Sequence, residues 1–200
     1  PIERAKHLIP QILNPRKLSL DNFYEGSYLV FWGLFKKIYI ADTLAVHVNS
    51  VFNNWQYGTN TWVDVFMAAW MFAWQIYCDF SAYSDIARGI SKMMGFNLMI
   101  NFNLPYFAKN PSEFWRRWHI SLSTWLRDYL YIPLGGSKGS KLLTYRNLFI
   151  TMFLGGLWHG ASMTFVIWGI YQGVALMLHK LYVDLLKTIK IYERIIVYKP

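Results

Sequence analysis

The sequence predicts an all-α integral membrane protein, a polytopic helical bundle with broken or re-entrant helices. Three observations predict it. The 200 residues are 54% hydrophobic and 19% aromatic but only 16% charged, with 10 Trp and 14 Tyr, a profile of aromatic-belted membrane helices. Residues 147 to 178 contain no Asp, Glu, Lys or Arg. The stretch from Asn110 to Gly160 sets His119, His159 and arginines 116, 117 and 127 among apolar sequence, a combination that is costly in lipid unless those side chains face one another or a cavity.

The bulk numbers also exclude function classes. A formal net charge of +9 and a pI near 9.6 would suit nucleic-acid binding, but the basic residues are dispersed among apolar segments, and a cytoplasmic bias of Lys and Arg explains the excess. Cys78 is the single cysteine, so neither a disulfide framework nor a multi-cysteine metal site is expected. His7, His47, His119, His159 and His179 show no i,i+4 pairing and no ligand-spaced partners, so no metal is expected, and no phosphate-loop, dinucleotide or nucleophile-elbow motif points to a bound cofactor. The chain opens at Pro1 within what reads as a loop, and a piece of a longer membrane protein is the expectation.

Residues 1 to 25, with Pro1, Pro10 and Pro15 and a basic tilt, read as loop or short interfacial helices. From Gly26 to Phe52 an apolar run is interrupted by Lys36, Lys37 and Asp42, so it can span only if the lysines snorkel or face the bundle interior. Residues 53 to 60 read as a turn-rich link. Thr61 to Cys78 is the first span candidate, against the roughly twenty residues needed to cross about 30 Å of hydrocarbon. It leads into a polar segment where Asp79 and Tyr83, and Ser81 and Asp85, become i,i+4 neighbours if the helix continues. Those carboxylates read equally as interfacial caps or as groups facing a cavity. The Asn-rich residues 93 to 109 read as an irregular connection.

Asn110 as cap, Pro111 at the first helical position and Glu113 in a capping box start a helix predicted to run to Tyr131, before Pro133 and Gly135-Gly136. Phe114, Trp118, Ser121, Trp125 and Tyr129 would form one face, and Glu113 would pair with Arg117. The acid-free residues 133 to 146 read as a cytoplasmic loop. Between 147 and 178 the glycines at 155, 156 and 160 predict a break, leaving a first piece of about eleven residues that is too short to span. Irregular backbone at membrane depth is tolerated only inside protein or around a water-filled cavity, so His159 is expected in a buried polar pocket. Residues 179 to 200 read as an amphipathic or interfacial helix.

A buried neutral imidazole can take a proton from a hydroxyl, and a well-placed base contributes about 10² to 10⁴ in rate. The competing explanations are a packing turn for Trp158-His159-Gly160 and, for His119, a ring N–H donated across a polar gap.

The residues also carry a resemblance. Phe114-Trp115-Arg116-Arg117-Trp118-His119-Ile120-Ser121, continuing to Arg127-Asp128-Tyr129 and Pro133-Leu134-Gly135-Gly136, resembles the signature of membrane-bound O-acyltransferases, particularly those that acetylate polysaccharides such as alginate. Pro1-Ile2-Glu3-Arg4-Ala5, Phe35-Lys36-Lys37, Asp79 to Asp85 and Leu157-Trp158-His159-Gly160 resemble that family's other blocks in the same order.

The resemblance implies a single partial membrane domain over residues 1 to 200 and a funnel through the bilayer of a multi-pass cytoplasmic (inner) membrane protein. An acyl group would pass from a cytoplasmic thioester donor, acetyl-coenzyme A or an acyl-carrier thioester, to hydroxyls of an extracytoplasmic polysaccharide. Periplasmic or extracellular acetyltransferase partner proteins are implied as well. His159 matches the histidine treated as catalytic in the family and His119 the second recurrent one. Arg116, Arg117, Trp118, Ser121, Arg127, Asp128 and Trp158 form the candidate substrate- and donor-binding set, with Asp79 and Asp85 for pocket polarity or helix positioning. Transfer of D-alanyl or another acyl group to a cell-wall polymer is the near alternative. From other classes, a transporter with a buried proton or ion relay and a non-catalytic polysaccharide-export subunit remain open.

Overall fold

A computed structural model describes residues 1–54 and 58–188, and within them every regular element is helical. Contacts divide the chain into two compact units, Pro1–Asn101 and Phe102–Pro200.

In the first unit, α1 (Ala5–Leu13) is short, and Gln11 ties it to the backbone N–H and C=O of Asn97. Ser19 caps α2 (Leu20–Leu34), whose chain passes through a π-helical turn, Phe35–Ala41, into α3 (Asp42–Phe52). The 32-residue α4 (Trp62–Met93) begins with a reciprocal Thr61–Asp64 capping box and runs without interruption through the polar segment after Cys78. Asn54 and Gly58 flank part of the turn-rich link; Trp55, Gln56 and Tyr57 lie outside the described residues.

The α2–α4 pair is antiparallel and held close by small residues at heptad spacing. A Cβ on Gly26 would stand 2.6 Å from the Gly89 carbonyl oxygen, and one on Gly33 would stand 2.8 Å from that of Ala82. Close approach then brings Lys36 against α4. Its ammonium donates to Ser81 Oγ at 2.9 Å and to Asp85 Oδ2 at 2.7 Å, with the lysine side chain 8% exposed. Lys37 bridges Asp42 and Asp79. Of the two options for the lysines, Lys36 takes the bundle interior. The predicted Ser81–Asp85 neighbours meet at its ammonium.

In the second unit, a 3-10 turn at Pro105–Phe107 leads to α5 (Pro111–Arg117), α6 (Ile120–Leu126) and a π-helical turn at Arg127–Tyr131. The single helix expected from Asn110 to Tyr131 is therefore corrected to two. Its start is as predicted, with Asn110 Oδ1 accepting from Glu113 N, although the Glu113 carboxylate reaches back to the Lys109 N–H. The break falls at Trp118, which is extended, and His119, which is left-handed at φ 41°. The cause lies outside the helix: the Arg117 carbonyl accepts the Asn103 N–H at 2.9 Å. The Trp118 ring is drawn into a cluster with Phe102, Tyr106 and Phe114. The continuous aromatic face dissolves into that cluster and a separate Trp125–Tyr129 pair.

Ser140 caps α7 (Lys141–His159), so the acid-free loop ends before residue 141 and not at 146. A second correction follows. Gly155 and Gly156 lie inside α7 and do not break it; the helix ends at Gly160, and α8 runs from Met163 to Thr188. The glycines face a helix instead: a Cβ on Gly156 would stand 2.5 Å from the Phe165 carbonyl oxygen and 2.8 Å from Gly169 Cα. Small-residue contact of this kind is how helices pack closely where burial of apolar surface alone does not drive association. Among the described residues, α8 is the one helix long and apolar enough to cross a membrane by length and composition. The predicted terminal helix enters as the end of α8 up to Thr188, and residues 189–200 lie outside the described residues.

Candidate active site around two histidines

The break at His119 and the end of α7 are neighbours within the second unit. His119 is buried, 6% exposed, at the left-handed corner between α5 and α6. That corner is closed by the Ser123 N–H to the His119 carbonyl and by Ser123 Oγ to the Trp118 carbonyl. Trp158, in the last turn of α7, has its ring 6.5 Å from the His119 imidazole and 5.1 Å from that of His159. The two histidines, 40 positions apart in sequence, thus both stand beside one indole.

His159 is exposed, against the expectation of a buried pocket. The physical reason is the correction above: α7 continues unbroken, so its last residue projects from a helix end and does not fold back into a broken-helix cavity. Aromatic rings frame its imidazole nevertheless. Phe165 is stacked at 5.7 Å and 24°, Trp168 is edge-on at 5.2 Å and 79°, and Trp158 is edge-on at 76°. Trp168 in turn meets Trp115 edge-on at 5.8 Å. Sequence reasoning passed over Phe165, Trp168 and Trp115 as site residues. The available signal was the i,i+3 pair Phe165/Trp168, which opens the helix directly after His159.

The other candidates fall into distinct places. Ser121 is completely buried at the second position of α6. Arg117 is held by Glu113, as predicted, and donates to the Asn103 carbonyl, so it is engaged in holding the break. The Lys109 backbone N–H and then the Arg117 guanidinium hold the Glu113 carboxyl below its ordinary range. Arg116 is exposed. Trp118 belongs to the cluster with Phe114 and Phe102. Arg127 pairs with Asp128 at 2.8 Å on the π-helical turn. Asp79 and Asp85 lie on α4 in the first unit, each ion-paired with a lysine; Arg88 also donates to Asp85.

An apolar cavity of about 200 Å³ lies in the second unit, lined by Trp115, Leu126, Arg127, Tyr131 and Met152 among others. No cluster of three or more His, Cys, Asp or Glu side chains that could hold a metal occurs among the described residues.

Over residues 1–198 the chain matches the family described as MBOAT, membrane-bound O-acyltransferase. Relatives include a probable alginate O-acetylase, AlgI, of Pseudomonas syringae pv. tomato, 51% identical over 180 residues that make up 90% of this chain and 34% of the relative. The peptidoglycan O-acetyltransferase of Helicobacter pylori is 42% identical over 184 residues, 91% of this chain and 34% of that protein. The teichoic acid D-alanyltransferase of Bacillus subtilis is 28% identical over 183 residues, 87% of this chain and 46% of that protein. The chain spans about a third of the length of the first two. Since the match covers both histidine-bearing elements and nearly every residue between the termini, the chain belongs to the membrane-bound O-acyltransferase family.

Proposed function

We propose that this chain is the histidine-bearing part of a multi-pass inner-membrane O-acyltransferase that acetylates a polysaccharide outside the cytoplasm. The observation that carries the proposal is the convergence of His119 and His159 on Trp158. Residues 1 to 200 would form part of one membrane domain, completed by further spans into a polytopic bundle around a funnel. The donor is a cytoplasmic thioester, acetyl-coenzyme A or an acyl-carrier thioester, and periplasmic or extracellular acetyltransferases are the fitting partners. The named activities of the alginate and peptidoglycan relatives favour acetyl over D-alanyl, since the D-alanyl relative is the more distant at 28% identity.

In this mechanism a ring nitrogen of His159 takes the proton of an acceptor hydroxyl as its oxygen attacks the thioester carbonyl carbon. The C–S bond then breaks and the departing thiolate receives that proton, leaving an O-acetyl ester and a free thiol. The imidazole at the end of α7, framed by Trp158, Phe165 and Trp168, suits a positioned base, and the buried His119 suits a group that orients donor or acceptor. Arg116, exposed and one turn from Glu113, is free to meet anionic groups of either substrate, whereas Arg117 is engaged with Glu113 and Asn103.

The test is the O-acetyl content of surface polysaccharide in cells making the full-length protein, wild type against His159→Ala at matched membrane protein level. Loss of acetyl groups supports the proposal. Unchanged acetylation removes His159 as base and favours transport or a scaffold role; substrate-coupled flux without acylated product would identify a transporter.

A further inference from the structure

We infer that Trp168 is a positioning residue for the His159 imidazole, an inference that rests on the proposed role of His159 as base. An imidazole at an exposed helix end turns about two side-chain bonds unless neighbours hold it. Three rings do so, and they are not equivalent. Trp158 and Phe165 are both exposed. Trp168 is half-buried, meets the imidazole edge-on at 5.2 Å, and is backed edge-on by Trp115 at 5.8 Å.

The backbone fixes the same ring from below. Gly169, directly after Trp168, packs so closely on Gly156 that a methyl added to it would lie 3.1 Å from the Gly156 Cα, so the base of Trp168 cannot move relative to α7. Trp115 stands four positions before His119, so the Trp168–Trp115 contact also joins His159 to the segment that carries the second histidine. Two arms of contacts leave His159, one through Trp168 to Trp115 on α5 and the other through Trp158 to His119. A base held this way keeps its nitrogen aimed at one point, which is what proton abstraction during attack requires.

The experiment uses full-length protein in membrane vesicles, with acetyl-coenzyme A as the donor probe and O-acetyl ester on the extracted polysaccharide as readout. Trp168→Leu should lower the maximal rate per folded molecule by about 10²-fold, the scale of a misplaced catalytic group. The KM for acetyl-coenzyme A should stay within about twofold, because the lost interaction serves the transition state and not donor binding. Trp168→Phe, which keeps an edge for the imidazole, should recover most of the rate. Three results overturn the inference: a raised KM at unchanged maximal rate, no recovery by phenylalanine, or a fall in folded protein with the rate per molecule intact. If His159→Ala transfers acetyl at the wild-type rate, the proposed function itself fails; if His159→Ala is inactive and Trp168→Leu is unaffected, only this inference does.

Discussion

Gly156→Ala offers a sharp test of how the α7–α8 contact supports the histidine site. The added methyl would lie 2.5 Å from the Phe165 carbonyl oxygen and 2.8 Å from Gly169 Cα, and both are backbone atoms that no rotamer change can move aside. Restoring ordinary contact requires the two helices to part by about 0.9 Å, given that Cβ contacts closer than 3.4 Å are tight. Overpacking of this sort costs about 1–3 kcal/mol. The displacement occurs within one turn of Trp158 and His159 on α7 and of Phe165 and Trp168 on α8, so it opens the aromatic frame around the imidazole. A shift on that scale can cost about 10² in rate. The neighbouring Gly155→Ala is the control, because its methyl would meet only the Leu126 Cδ1 atom, at 3.2 Å, the far end of a flexible side chain. The assay pairs thermal unfolding of the full-length protein in detergent with polysaccharide O-acetyl content. Equal effects of the two substitutions, or wild-type behaviour of Gly156→Ala in both readouts, would refute the packing argument.

Three further outcomes are expected. Both His119→Gly and His119→Val should abolish acetylation, and His119→Val should be the less stable of the two by about 1–2 kcal/mol, read by the thermal midpoint, because glycine accepts the left-handed backbone at φ 41° and a β-branched residue does not. Asp85→Asn leaves Lys36 and Arg88 without their carboxylate and should lower stability by up to about 3–5 kcal/mol, the range for breaking a buried pair, whereas adding Lys36→Met should return part of the loss in the same unfolding assay. The Glu113 carboxyl is held below its ordinary value, so its contribution is present above pH 4.5 and is lost as pH falls through its lower folded value. Glu113→Gln should accordingly flatten the acid side of a stability-against-pH curve, and an unchanged curve would contradict the ties from Lys109 and Arg117.

The sequence by itself determined the helical class and the starts of α4 and α5. Those follow from local rules: Asn110-Pro111 carries its capping chemistry within three residues, and Glu113–Arg117 pairs across one turn of the same helix. Apolar composition likewise marks α8, since a charge-free run needs no partner to be recognised. The family motif around Trp158-His159-Gly160 was legible as a pattern, although its exposure at a helix end was not.

Only the tertiary structure decided where helices stop and which side chains meet. The aromatic spacing from Phe114 to Tyr129 suits a continuous helix, but the Asn103 N–H takes the carbonyl of Arg117, and the chain turns at His119. Gly155-Gly156 has the composition of a break, yet α7 runs through it intact, with Gly156 packed closely on Gly169 of α8. Lys36 could snorkel or turn inward, and the Gly26–Gly89 approach brings α4 close enough for Ser81 and Asp85 to receive it. In each case the competing states differ by a hydrogen bond or a packing contact whose partner is 13 or more positions away, and a local pattern contains no term for it.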